Sequence, residues 1–194
     1  MAAPLPPALL PPVMSAPEET MWQGDWITAR RRGTWEYVGR ARGIRAAVIL
    51  AVDEANRVIL VEQFRVPLGR PCIELPAGLV GDEHEGEAPT AAAARELEEE
   101  TGYRAARLEV VGEFWSSPGM VTESFTLLRA SGLEKVSAGG GVADEAITVH
   151  LVPIASLAAF LAERRALGDA IDMKLMMLLG PAVLGLGAFA AQEG

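Results

Sequence analysis

The chain has 194 residues, half of them hydrophobic, enough for one substantial core with a small appendage. Its net charge of -9 opposes attraction to nucleic acid or an anionic membrane, so an acidic site that works on phosphates needs cations as intermediaries. The single Cys72 excludes an intramolecular disulfide and fits a reducing, cytoplasmic compartment; in the run Cys72-Ile73-Glu74-Leu75 it reads as a packing residue.

Residues 1–20 carry six prolines, lack the basic start and unbroken apolar core of a secretory signal, and read as a disordered Pro/Ala-rich tail. Residues 21–42 form a small β subdomain, in which β-like runs at 26–28 and 35–38 flank the basic turn Arg30-Arg31-Arg32-Gly33. The main domain takes 43–194. Its first strands are 46–52 and 57–64, joined by the turn Asp53-Glu54-Ala55-Asn56. An extended segment at 71–75 leads into Pro76-Ala77-Gly78, and a helix begins near Pro89. Ala88 stands where a side-chain cap is usual, which weakens the helix start by about 1 kcal/mol. Strands return at 107–115, 124–130 and 147–152, with helices at 154–167 and 171–179. The apolar stretch 173–190 is interrupted by Lys174, Gly180, Pro181, Gly185 and Gly187, so it reads as a buried helix ending near Pro181 and not as a membrane span. Strands without regular helix alternation indicate a mixed-sheet α/β sandwich.

The helix from Pro89 carries the chemistry. At about 100° per residue, Glu96, Glu99 and Glu100 share one arc and Glu98 points away. A helix C-terminus is already partly negative, and like charges three and four residues apart repel, so this cluster costs stability that something must offset. Hard oxygen ligands on a rigid backbone suit Mg²⁺ or Mn²⁺. Arg95, one turn before Glu99, is placed to hold that carboxylate and leave Glu96 and Glu100 for metal, and Gly102 closes the helix as a left-handed cap.

Glu87, seven residues, then Arg95-Glu96-Leu97-Glu98-Glu99-Glu100-Thr101-Gly102-Tyr103 resembles the Nudix box. Thr34-Trp35-Glu36-Tyr37-Val38, Glu62-Gln63-Phe64-Arg65, Gly69-Arg70-Pro71 and Glu74-Leu75-Pro76-Ala77-Gly78-Leu79 look like segments of the ADP-ribose pyrophosphatase subfamily. Ser117-Pro118-Gly119-Met120 through Glu123 is similar to its proline-bearing segment, with Pro118 fifteen residues past Tyr103. The resemblance implies an α/β/α sandwich with a mixed sheet after an N-terminal β-hairpin subdomain. It also implies Mg²⁺-dependent hydrolysis of ADP-ribose to AMP and ribose 5-phosphate. The metal ligands would be Glu96, Glu100 and the Ala77 carbonyl. Glu99 would be a further ligand or water-orienting group, with Arg95 beside it. Glu145 would be the loop acid that binds metal or activates water, with Asp144 its competitor. Substrate contacts would come from Arg65, Glu74, Pro118, Gly119, Met120 and Glu123. Arg30, Arg31 and Arg32 are further phosphate candidates, and Trp35 and Trp26 offer faces for adenine. Similar enzymes are homodimers whose N-terminal hairpin crosses to the partner, an exchange that would put Trp35 at the neighbouring site. Alternatives are a GDP- or UDP-sugar pyrophosphatase, or a non-catalytic ADP-ribose-binding module.

Eight residues separate Gly78 from Glu87 where the family pattern has five, so Gly81-Asp82-Glu83-His84-Glu85-Gly86 reads as holding a three-residue insertion. His84 and Glu85 read as exposed loop residues. The run Gly139-Gly140-Gly141 before Glu145 is expected to let that loop close over a substrate.

Overall fold

The structure, a computed structural model, describes residues 10–81, 86–142 and 145–183. It opens on an antiparallel meander, β1 (Glu18–Gln23), β2 (Ile27–Arg32) and β3 (Trp35–Arg40). Arg32 pairs with Trp35 across a two-residue turn, and Gly33 supplies its left-handed residue at φ +58°. Two expectations change here. The last residues of the expected tail belong to β1, and the three arginines lie within β2, where Arg30 and Arg32 pair with Glu18 and Arg31 with Glu19. The acids of β1 were read as tail, which left the arginines without visible partners and made them look like a solvated turn.

The main domain contains β4 (Arg45–Ala51), β5 (Arg57–Arg65), β6 (Arg70–Glu74), β7 (Ala77–Val80), α1 (Pro89–Thr101), β8 (Tyr103–Trp115) and β9 (Ser124–Lys135). It continues with β10 (Thr148–Pro153), α2 (Leu157–Ala166), β11 (Ala170–Ile171) and α3 (Met176–Val183). One sheet runs β7-β4-β9-β8 and the other β10-β5-β6-β11. Each is mixed, since β4 and β9 are parallel, as are β6 and β11, while their other neighbours are antiparallel.

Both faces of β4 and β5 are buried, which is why they read as continuous apolar runs. Ala47, Ile49, Ala51 and Ile59 pack with Ala92, Ala93 and Leu97 of α1. The alternate residues Val48, Val58 and Leu60 pack with Leu157 and Leu161 of α2 and with Leu175 just before α3. Helices therefore cover opposite faces, giving the expected α/β/α order. Burial of a side chain such as Leu97 stabilises this arrangement by about 1.5–3 kcal/mol.

The boundaries differ in ways that reflect tertiary pairing. β7 was not expected, because Pro76 and Gly78 argue against a strand, yet it pairs with β4 as an edge strand with Val80 buried. β8 and β9 extend to Tyr103 and Lys135, which pair with each other. α3 runs past Pro181 to Val183. Among the described residues, no helix is long and apolar enough to cross a membrane.

α1 starts at the uncapped Ala88 with Pro89 in its first turn, and it ends as expected at Gly102, left-handed at φ 72°. Gly102 also carries a tertiary contact, because a Cβ there would overlap the Ser137 carbonyl oxygen. Gly43 has a similar φ of +73° and nothing within 4 Å of an added Cβ. An alanine at either position incurs left-handed strain of about 1 kcal/mol. Only Gly102→Ala adds a backbone collision, costing about 1–3 kcal/mol more. In urea unfolding, Gly102→Ala is expected to lose at least about 1 kcal/mol more than Gly43→Ala; equal losses would show that the helix end and the 137–139 segment are not in contact.

Candidate active site

α1 lies beside β7, and the Glu96 side chain rests on Gly78, where any Cβ would overlap its carboxyl group. Gly78 thus leaves the room that the Glu96 side chain occupies. Glu87 accepts from the Gly81 amide at 3.3 Å at the base of the expected insertion; His84 and Glu85 lie outside the described residues. One turn beyond Glu96, Glu100 is 4 % exposed and accepts the Ala77 N–H at 3.0 Å. Glu96, Glu100 and Glu145 share the wall of a cavity of about 400 Å³, to which Ala77, Gly78 and the side chains of Arg40, Arg65 and Lys174 contribute.

Burial sets the electrostatics. Desolvation pushes Glu100 up to about 8, opposed by the Ala77 N–H and reinforced by Glu96. Desolvation pushes Glu96 up to about 7, opposed by Arg95 and reinforced by Glu99. Glu145 disfavours the ionised form of both.

Arg95 does not leave Glu96 free, as the sequence suggested. Its guanidinium lies 2.9 Å from Glu96 and 3.2 Å from Glu99, with Glu87 at 3.8 Å. The Glu96 side chain is 15 % exposed against 32 % for Glu99, so the more desolvated acid gains most from the cation. Glu99 sits on Arg95 and is not among the residues lining the cavity. Glu98 points away, as expected, and is forked by Arg104 at 3.0 Å through both oxygens.

Glu145 reaches the cavity from its loop, with one carboxylate oxygen accepting the Val142 N–H at 3.1 Å. Its sequence competitor Asp144 lies outside the described residues. Among the described residues, no three His, Cys, Asp or Glu side chains form a ready-made metal cage. The chemistry of the donors nonetheless fits a hard divalent cation. Only oxygens converge, their buried charge is poorly compensated, and such ions commonly use one or two carboxylates with water and substrate phosphates completing the shell.

The opposing cations are held in place. Arg65 forks Glu74 at 2.6 and 2.9 Å, and Glu74 is 5 % exposed. Arg40 meets Glu123 at 2.5 Å, and Lys174 meets Asp172 at 2.5 Å while lying 5.6 Å from the Phe125 ring centre. Sequence reasoning found Arg65, Glu74 and Glu123 but missed Arg40 and Lys174. Lys174 had been noted only as an interruption, although a charge within an apolar segment was itself the signal.

Trp35, Pro118, Gly119 and Met120 lie apart from the carboxylates. They line an apolar cavity of about 450 Å³ with Tyr37 and Met14. A third cavity of about 890 Å³ shares Arg65, Glu74, Glu123 and Lys174 with the first and Met120 and Val121 with the second. β3 is tied to this region by Val38, whose N–H and carbonyl bond Met120 and Thr122 at 3.0 and 2.9 Å. Trp26 instead lies under the Arg42 guanidinium, 5.1 Å away. Cys72 is buried, its thiol pushed up to about 12 chiefly by desolvation, in keeping with packing.

Known proteins extend this picture. The chain is 38 % identical over 109 residues to the methanol dehydrogenase activator of Bacillus methanolicus, 56 % of this chain and 57 % of that protein. It is 46 % identical over 78 residues to the ADP-ribose pyrophosphatase of Bacillus subtilis (strain 168), 40 % of each chain. The chain thus spans about half the length of these two relatives. With the GDP-mannose pyrophosphatase of Cronobacter sakazakii (strain ATCC BAA-894) it is 38 % identical over 146 residues, 71 % of this chain and 72 % of the relative. The crystal structure of an ADP compounds hydrolase shares the fold, with a TM-score of 0.63 at 20 % identity over 89 % of this chain and 94 % of that one. The NUDIX domain model matches residues 42–170, which include β4, β7, the acidic helix and Glu145, and the chain belongs to the Nudix hydrolase family.

Proposed function

We propose that this protein hydrolyses the diphosphate bridge of ADP-ribose to AMP and ribose 5-phosphate, using Mg²⁺ held by Glu96, Glu100 and the Ala77 carbonyl. The observation that carries the reading is one cavity in which half-buried Glu96 and buried Glu100 face Arg40, Arg65 and Lys174. Acids alone would repel a diphosphate, and cations alone would bind it without activating water. The bound metal supplies charge neutralisation and acidifies water at this site.

The chain's own residues supply the rest. Arg40, Arg65 and Lys174 take the phosphate oxygens, each already aimed by an acid behind it. Glu145 accepts a proton from the attacking water as a new P–O bond forms and the bridging P–O bond breaks. Arg95 orients Glu96 and Glu99. Trp35 and Met120 offer apolar faces for the base, at exposures of 55 % and 60 %. Exposed Trp22, Trp26 and Trp35 on the meander support a homodimer built through that subdomain, and the lone buried thiol supports a cytoplasmic setting. The longer match to a GDP-mannose pyrophosphatase favours a GDP-sugar as the second reading.

Incubation with Mg²⁺ and a panel of nucleoside diphosphate sugars, with products identified by mass spectrometry, tests the proposal. AMP and ribose 5-phosphate from ADP-ribose are expected. Faster turnover of GDP-mannose would select the second reading, and tight ADP-ribose binding without products would select a non-catalytic module.

Glu96→Gln and Glu100→Gln keep shape while removing charge. Each is expected to lower kcat on the order of a hundredfold or more with the fold intact by circular dichroism. Unchanged turnover of both under saturating Mg²⁺ would remove these residues from the metal site.

The raised Glu100 pKa also dictates how metal-free protein responds to pH. Its value rises from 4.5 to about 8 on burial, so the folded state holds a proton that the unfolded chain releases. The associated stability is present below the unfolded value and is lost as pH rises toward about 8. In EDTA, Glu100→Gln is therefore expected to match the unaltered protein near about pH 4.5 and to exceed it by on the order of 2–4 kcal/mol near about pH 9. Parallel stability curves across that range in denaturant titrations would contradict the assigned burial.

A further inference from the structure

The expected use of the glycine run was closure over a substrate. In the structure the run is docked on the end of the acidic helix. The last carbonyls of a helix have no partners within it, and here the segment after β9 satisfies them in succession. Glu99 O accepts the Gly141 N–H at 3.0 Å and Glu100 O the Gly140 N–H at 2.8 Å. Thr101 O accepts from Lys135 Nζ at 2.7 Å, and Gly102 O accepts the Val136 N–H at 2.8 Å. Gly139, Gly140 and Gly141 have φ of +71°, +107° and +85°, conformations that other residues rarely adopt, and this path turns the Gly140 and Gly141 amides toward the helix. The approach is close, since a Cβ on Gly139 would overlap the Thr101 carbonyl carbon.

The same segment carries Glu145. The Ile147 N–H bonds Gly140 O at 3.2 Å, the Glu145 N–H bonds Val142 O at 3.0 Å, and the Glu145 carboxylate accepts the Val142 N–H at 3.1 Å. Gly141 lies directly beneath that side chain, where a Cβ would stand 2.7 Å from Glu145 Cβ. The backbone of Glu99 and Glu100 thus holds Gly141 and Gly140 by hydrogen bonds, and the next residue, Val142, donates its N–H to the Glu145 carboxylate. The acids of the helix and the acid of the loop are registered to one another by main chain.

We infer that Gly139, Gly140 and Gly141 are positioning residues, which clasp the end of the acidic helix and set the Glu145 carboxylate against Glu96 and Glu100. The inference rests on the reading of Glu145 as the group that takes the water proton. A loop docked on the helix holds that carboxylate before substrate arrives, and a displacement of about 1 Å in a reacting group can cost on the order of a hundredfold in rate.

A double-mutant cycle with Mg²⁺ and ADP-ribose, or GDP-mannose if that is the substrate turned over, tests the clasp. Gly139→Ala is expected to lower kcat by roughly ten- to a hundredfold with KM within about threefold, and to cost less than about threefold more when Glu145→Gln is already present. Gly168→Ala serves as control, since Gly168 has φ +100° with nothing within 4 Å of an added Cβ, and it should leave kcat unchanged. Should Gly139→Ala not fold, Gly140→Ala replaces it, because its nearest neighbour would be Ile147 O at 3.7 Å and only strain is introduced. The same loss of kcat with or without Glu145→Gln would overturn the inference. If Glu145→Gln alone is silent, the proposed role of Glu145 falls, and hydrogen exchange decides the clasp independently. Slow exchange of the Gly140 and Gly141 amides, released by Gly139→Ala, supports it; fast exchange in the unaltered protein refutes it.

Discussion

Like charges buried together at the negative end of a helix are the constraint around which this site is organised. Glu96 and Glu100 are one turn apart, desolvated, and pushed up to about 7 and about 8. Each neighbouring feature reduces that cost. Gly78 admits the Glu96 side chain, Ala77 donates an N–H to Glu100, and Arg95 lies against Glu96 and Glu99. Main-chain donors and Lys135 satisfy the carbonyls at the helix end. What remains is the cost of ionising Glu96 and Glu100 against the cavity, and a cation bound there would offset it.

The cations across the cavity obey a complementary rule. Arg65, Arg40 and Lys174 each lean on an acid, Glu74, Glu123 and Asp172. A free arginine or lysine there would lose side-chain entropy on binding phosphate, whereas a paired one is already ordered. The pairing does not neutralise the group for a ligand, because a guanidinium forked on one side keeps other donors free. These partly buried pairs contribute little to net stability, since desolvation offsets most of their attraction. Their value lies in aim.

What was legible in the sequence follows from locality. The acidic helix, its arc, its poor start at Ala88 and its Gly102 cap depend on neighbours within a few residues, and the structure has all of them. The strands β4 and β5 announced themselves because both faces are apolar. β7 did not, because pairing with β4 overrides Pro76 and Gly78. Arg95 was assigned to Glu99 by the one-turn spacing, but which acid gains most depends on burial, which spacing does not reveal. Arg40 was invisible for the same reason, and the charge at Lys174 did not reveal what it faces. They come from β3 and from the segment before α3, and only the folded chain places both at one cavity.

The clustered carboxylates and the exposed apolar side chains occupy different cavities of this molecule, and on the proposed function that division separates chemistry from base selection. On that reading the carboxylates and cations would meet only what sugar nucleotides share, the diphosphate. Trp35, Tyr37 and Met120 lie in a separate cavity with no helix acid in its wall, joined to the first through the third. On the same reading, a change in that region would alter which base is held more than it alters water activation. The link between them is mechanical: β3 ends at Arg40 in the catalytic cavity and begins at Trp35 in the apolar one. The bonds of Val38 to Met120 and Thr122 fix that strand between them. Under the proposed function, a base seated on Trp35 would be tied through β3 to Arg40, so the length of one short strand would bear on which base is held.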